Sequence, residues 1–409
     1  MSMLTFLREN FRWLAGGFLM TYFSSYGQTF FISLSAGNIR EEYGLTHGTF
    51  GTLYMAATLG SAIAMPYVGQ MVDRMSARRL TLVIVPILAA ACVLMAFSRH
   101  IALLLVAIFL LRMFGQGMMS QNAFTAAGRW FAAQRGRAMA LTAIGVNAGE
   151  ATFPFLFVLT AGALGWRNAW LVATVTLVAV ALPVIAWLVR VERTARSGDP
   201  LPRMEKARDW TRGEVARDPH FYLLLAGTMA PGFIGTTIFF HQVYLVNLRG
   251  WSLEVFASSF TMMALCTVTF ALVSGHLVDR FSAVRMLPAF LLPLGLACLT
   301  LASVSAQWSA FVFMGLMGIT YGFSNTIFGA IWPEIYGIAH LGAIRAMTLA
   351  IMVLATAMGP GITGFLIDLG VGFPLQVAVM GLYCLAACLL MLAVSRRLVA
   401  RLAAPAATR

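Results

Sequence analysis

Charge is scarce in this chain of 409 residues: 11% are Asp, Glu, Lys or Arg, while 60% are hydrophobic. A soluble domain carries about a quarter charged residues, so a water-soluble globular class is excluded. Lysine is nearly absent, with Lys206 alone beside 27 Arg, a composition that suits a GC-rich bacterial genome. Cysteine is sparse as well. Cys92, Cys266, Cys298, Cys384 and Cys388 all lie in apolar runs without CxxC spacing, which excludes a disulfide framework and argues against a metal centre. No HExxH, no GxxxxGK[ST] and no GxSxG is present. The sequence therefore offers no metalloprotease, no built-in ATP motor and no hydrolase elbow, and no enzyme, metal or cofactor is expected. The opening stretch MSMLTFLRENFRW has neither an apolar core nor a cleavage site, so no signal peptide is expected.

What is present is hydrophobic length. A bilayer-spanning helix needs about 20 mostly apolar residues, and twelve segments qualify, near 13–37, 48–71, 80–98, 101–127, 137–163, 168–190, 220–247, 252–277, 286–305, 308–332, 342–367 and 373–394. The expected fold is an all-α membrane protein of twelve transmembrane helices. The net charge of +13 does not point to nucleic acid, because the basic residues fall between apolar runs and form no patch. With both termini placed in the cytoplasm, 23 of the 28 basic residues lie on that side and only Arg40, Arg99, Arg167 and Arg249 lie outside. This positive-inside bias predicts the orientation in a cell inner membrane, with the lipid bilayer as surroundings. A polar stretch divides the chain into a first six-helix bundle (1–190), a cytoplasmic linker (191–219) and a second bundle (220–409). Trp210 in the linker suggests a surface helix at the membrane interface.

The two halves repeat each other. Gly69, Asp73, Arg74, Ser76, Ala77 and Arg79 reappear 206 residues later as Gly275, Asp279, Arg280, Ser282, Ala283 and Arg285. Arg137-Ala-Met-Ala-Leu141 reappears as Arg345-Ala-Met-Thr-Leu349. Such duplication is a feature of transporters built from two homologous bundles. The duplicated loop resembles the signature loop of the major facilitator superfamily, GxLxDRxGRR. The resemblance implies two pseudo-symmetric six-helix bundles around a central site. It also implies that Asp73, Arg74, Asp279 and Arg280 hold a cytoplasmic gate, through carboxylate–arginine pairs and contacts to helix N-termini.

Two charges fall deep in apolar segments. Arg112, in Leu111-Arg-Met-Phe-Gly115-Gln116-Gly117, sits about 11 residues into the fourth segment, roughly 16 Å deep at ~1.5 Å per residue. Glu150, in Gly145-Val-Asn147-Ala-Gly149-Glu150, sits at similar depth in the fifth. An intramembrane charge is functional by default, yet two such charges can also form a plain structural pair. Burial disfavours a charged carboxylate and a nearby cation favours it, so Glu150 could exchange a proton while Arg112 holds an anion. In that reading Glu150 is the proton site and Arg112 serves both substrate and coupling.

The Arg112 motif resembles the family's second signature, RxxxGxG. The run Arg129-Trp-Phe131…Arg135-Gly-Arg137-Ala, followed by Gly145 and Gly149, is similar to bacterial monocarboxylate and oxalate–formate type carriers, as is Asp218-Pro219-His-Phe221. The helix-5 pattern of drug–proton antiporters, GxxxGPxxGG, is departed from at Glu150. In the superfamily helices 1, 4, 7 and 10 line the cavity. This adds Tyr26, Gln28, Gln116, His241, Tyr321 and Asn325 as substrate contacts, with Asn147 beside them on helix 5. Glu334 is expected to meet the Arg345 or Asp279–Arg280 region. The resemblance implies a monomeric, proton-coupled symporter of a small monocarboxylate-like solute working by alternating access. The alternative is an exporter of drugs or lipophilic metabolites by proton antiport.

Overall fold

The structure is a computed structural model that describes residues 3–131, 134–193, 209–337 and 339–403, leaving aside the side chains of Met3, Leu4, Asp73, Arg135 and Ala403. Every regular element among the described residues is helical. Twelve principal helices carry the fold. They are α1 (Met3–Phe23), α2 (His47–Val68), α3 (Ala77–Phe97), α4 (Ile101–Trp130), α5 (Arg135–Leu164), α6 (Trp166–Leu188), α7 (Pro219–Phe240), α8 (Leu253–Phe281), α9 (Leu292–Ser303), α10 (Ser309–Tyr336), α11 (Leu341–Asp368) and α12 (Phe373–Ala403).

Among the described residues, nine of these are long and apolar enough to cross a membrane. The other three have local reasons. α1 is long enough at 21 residues but carries Arg8, Glu9 and Arg12; it ends at Phe23, where a tight 3-10 turn (Ser24–Gly27) leads to Gln28 in extended conformation, and helix resumes to Tyr43. α2 is long enough at 22 residues, but its Gly, Thr and His content dilutes its apolarity. α9 is shortened because Pro288 and Pro293 cannot donate into the helical ladder.

Helix starts follow capping chemistry. Thr46 accepts from Thr49 N at 3.1 Å to open α2, and Ser76 accepts from Arg79 N at 3.3 Å to open α3. Asp218 accepts from His220 N at 3.1 Å ahead of Pro219, the first residue of α7.

The chain forms two compact units. The first holds Met1–Pro202 with Phe239–Tyr244 and Ser252–Ser258; the second holds the remainder. The stretch 239–244 groups with the first unit for a visible reason: Gln242 Nε2 donates to the Phe30 carbonyl at 2.7 Å and to Ser33 Oγ at 2.8 Å. Within the first unit α1 and α5 approach closely because α5 offers two glycines four residues apart. A methyl group at Gly145 would lie 2.2 Å from the Phe18 carbonyl oxygen, and one at Gly149 would lie 2.0 Å from Ser25 Oγ.

The described end of the linker belongs to the second unit. Among its described residues Arg212–Val215 is helical, and Trp210 contacts protein, with its ring 5.6 Å from that of Tyr336 and under the Arg401 guanidinium at 4.3 Å. Residues 194–208 of the linker lie outside the described residues.

Candidate functional site

The break in the first segment is where the site is built. In a continuous helix the Gly27 carbonyl would accept from the N–H of Phe31 four residues on. Here Gln28 is extended (ψ 152°), and Phe31 N donates to Gln28 O instead. The Gly27 carbonyl is thereby released. α4 meets this break in a widened stretch, Leu111–Met119, wound as a π-helix. Such stretches are frequent at functional sites. The two backbones touch: a Cβ on Gly27 would lie 2.1 Å from the Leu111 carbonyl oxygen and 2.7 Å from Gly115 Cα.

Arg112 is the second residue of that π stretch and is buried, at 6% exposure. Its Nη1 donates to the Gly27 carbonyl at 3.3 Å and to Thr29 Oγ1 at 3.2 Å. Thr29 Oγ1 is in turn hydrogen-bonded to the Tyr54 hydroxyl at 2.7 Å, and the Tyr54 ring lies 5.5 Å from the guanidinium carbon. Nε of Arg112 is buried without an acceptor, and among the described residues the side-chain hydrogen bonds of Arg112 all come from Nη1. Arg112 forms no ion pair with Glu150 or any other described carboxylate. A buried guanidinium with an uncommitted edge and no counter-ion is costly by itself.

Glu150 lies on α5 one residue past the Gly149–Ser25 contact, with no hydrogen bond or ion pair among the described residues. Three residues on, Phe153 enters an aromatic cluster with Tyr22 and Tyr26, both at 4.6 Å between ring centroids. Ser25 Oγ, beside Gly149, is buried without a hydrogen bond.

The remaining sequence candidates scatter. Tyr26 is buried in the aromatic cluster, 5.0 Å from Phe31 and exposed by only 4%. Gln28 and Gln116 flank the Arg112 region on the extended link and the π stretch, both half-buried. Asn147 donates back to Ala143 O at 3.5 Å. His241 is buried at the interruption between α7 and the helix Gln242–Arg249, its ring 6.0 Å from that of His47. In the second unit, Tyr321 is half-buried with its hydroxyl over Gly235, and Asn325 is exposed.

The expected gating residues divide likewise. Arg74 is exposed and donates to Gln70 Oε1 at 3.4 Å; Arg280 is exposed and lies over the Phe281 ring at 5.2 Å; Asp279 is exposed and has no ion pair among the described residues. The side chain of Asp73 lies outside the described residues. Other carboxylates meet the helix starts after the duplicated loops. Glu192 accepts from Ala77 N and Glu334 accepts from Ala283 N, each at 3.0 Å. Glu334 thus meets the end of the Asp279–Arg280 loop, while Arg345 donates to the Gly329 carbonyl at 2.6 Å. Sequence reading missed Thr29 and Tyr54 as partners of Arg112, and Glu192 as a helix cap. Only the tertiary fold brings these together, across 83, 58 and 115 positions respectively.

Comparisons with known proteins fit this architecture. The family model of the Major Facilitator Superfamily matches residues 17–269 and 242–408. A probable sulfoacetate transporter of Cupriavidus necator, SauU, is 31% identical over 166 residues, covering 39% of this chain and 37% of that protein. The chain thus spans little more than a third of that relative's length in the match. Among solved structures, a bacterial homologue of the human lysosomal transporter Spinster superposes with a TM-score of 0.73 at 17% identity, over 96% of this chain and 98% of that one. A peptide transporter, POT, in complex with alafosfalin gives 0.70 at 15% identity, over 95% of each chain. At these identities the likeness concerns the fold.

Proposed function

The chain belongs to the Major Facilitator Superfamily, and on that premise we propose that it is a proton-coupled secondary transporter of a small organic anion. It works by alternating access in the cell's plasma membrane, with both termini in the cytoplasm. The observation that carries the reading is Arg112: a buried guanidinium, held on one edge and uncommitted on the other, without a carboxylate to neutralise it. A substrate carboxylate or sulfonate supplies that missing counter-charge. The partial match to a probable sulfoacetate transporter supports an anion carrying such groups. Glu150, without a cation of its own, is the proton site; taking up a proton removes a second buried charge during the transport cycle. Gln28, Gln116 and Asn147 of the first unit supply further polar contacts to the anion. Asp73, Arg74, Asp279 and Arg280 act at the cytoplasmic gate.

Uptake into proteoliposomes tests this. The wild-type protein accumulates a small carboxylate or sulfonate when a proton gradient is imposed. Arg112→Gln abolishes accumulation. Glu150→Gln retains downhill exchange but loses dependence on the gradient. Transport of lipophilic cations instead, indifferent to Arg112, would sink the anion reading and favour the drug exporter by proton antiport.

A further inference from the structure

We infer that Thr29 and Tyr54 are positioning residues that fix which edge of Arg112 meets the substrate, so that the site takes an oxyanion presenting two oxygens side by side. This rests on the reading of Arg112 as the anion contact. A guanidinium offers five N–H donors in a planar fork. Nη1 is spoken for by the Gly27 carbonyl and Thr29 Oγ1. The Nε–Nη2 edge is what remains, and its two parallel donors match two oxygens of one carboxylate or sulfonate group.

The hydroxyl pair fixes this choice in two ways. Tyr54 is fully buried, and its hydroxyl bonds to Thr29 Oγ1 at 2.7 Å, so neither group is free to swing. Whichever of the two hydroxyls donates, a lone pair of Thr29 Oγ1 remains for Arg112 Nη1. The Tyr54 ring against the guanidinium limits rotation about the last torsions of Arg112. Thr29 comes from the chain just past the helix break and Tyr54 from α2, so three elements of the first unit converge on one guanidinium. With the relay removed, Nη1 loses an acceptor and the fork can turn away from the anion. The consequence is weaker binding of bidentate anions with little change in the rate of the loaded carrier.

The test is uptake kinetics and binding calorimetry on the full chain with sulfoacetate and lactate as probes. Tyr54→Phe keeps the ring and removes the hydroxyl; Thr29→Val keeps the shape and removes the acceptor; Thr29→Ser restores it. The first two raise KM and Kd about tenfold with maximal rate nearly unchanged, the size expected for losing one hydrogen bond to a charged group. The double variant is no worse than the worse single one, because both act through one relay. Thr29→Ser returns toward wild type. Arg112→Lys, a point charge without a fork, loses at least as much as the double variant. Unfolding temperatures separate a misfolded variant from a mispositioned one. If Arg112→Gln abolishes binding while Tyr54→Phe and Thr29→Val leave KM unmoved, or act independently, the positioning role is overturned and the anion reading stands. If Arg112→Gln binds both probes normally, or wild type binds neither, the anion reading falls and this inference with it.

Discussion

Nη1 of Arg112 donates to the carbonyl oxygen of Gly27 at 3.3 Å, joining two positions 85 residues apart. The bond exists because the helix is broken beside Gly27, and the break packs against α4 because residue 27 has no side chain. One residue thus frees the carbonyl and permits the approach that uses it.

Gly27→Ala tests that dependence. A methyl 2.1 Å from the Leu111 carbonyl oxygen meets backbone, which cannot step aside as a flexible side-chain end would. The expected cost is about 1–3 kcal/mol, as for overpacking in other cores, together with lost anion binding because Arg112 is displaced. Gly162→Ala, at an exposed helical position with nothing within 4 Å, serves as the control and should hold or slightly raise the unfolding temperature. Equal behaviour of the two variants would show that the α1–α4 contact is not constrained by Gly27.

The carboxylate caps give a second prediction. Glu192 and Glu334 each accept from the backbone N–H that starts the helix after a duplicated loop. Glu192 places negative charge at the positive end of α3, and Glu334 at the start of the one-turn helix Ala283–Met286. Glu192→Ala and Glu334→Ala should each cost about 1 kcal/mol in unfolding. They occupy different units and share no partner, so the double variant should show the sum. Thermal unfolding of the four proteins in one detergent checks this; a cost in the double variant well above or below the sum would reveal coupling between the two loops.

The fold was legible because its evidence is local and repeated: long apolar runs, basic residues on alternate sides, and a duplicated loop. Arg112 and Glu150 stood out for the same reason, as lone charges in apolar surroundings. The partners of those charges did not. Tyr54 resembles any aromatic residue in a membrane helix, and Thr29 any hydroxyl, until the break after Phe23 brings both to Arg112. That break itself has a weak signature, since Ser24-Ser25-Tyr26-Gly27-Gln28 contains no proline. Asn122 went unnoticed for a similar reason. It is buried and donates to the Ala77 carbonyl at 3.2 Å and to Thr81 Oγ1 at 3.1 Å, contacts that depend on how α3 and α4 pack. The partners of Trp210 were equally hidden, since its contacts with Arg401 and Tyr336 join positions far apart in the chain.

Asp218 supplies the last prediction. Its carboxylate, 5% exposed, accepts from Arg401 Nη1 at 2.8 Å, the Tyr336 hydroxyl at 3.1 Å and His220 Nδ1 at 3.0 Å. It ties the linker end to α10 and α12. Burial alone would raise its pKa, but the hydrogen bonds from Arg401 and His220 outweigh it and hold the carboxyl below its usual value. A depressed carboxyl stabilises the fold fully above its unfolded pKa of about 3.9, and that contribution fades as pH falls through the lower folded value. The unfolding temperature of Asp218→Asn should therefore lie below wild type at pH 7, with the gap closing progressively below about pH 4. Arg401→Ala should cost about 1–2 kcal/mol at pH 7, because two other donors remain on the carboxylate. Arg99→Ala, whose side chain is 70% exposed in its pair with Glu42, should cost less than about 0.5 kcal/mol. A gap between wild type and Asp218→Asn that stays constant from pH 7 to pH 3 would mean that the charge on Asp218 contributes nothing to the cluster and that its packing alone holds the linker.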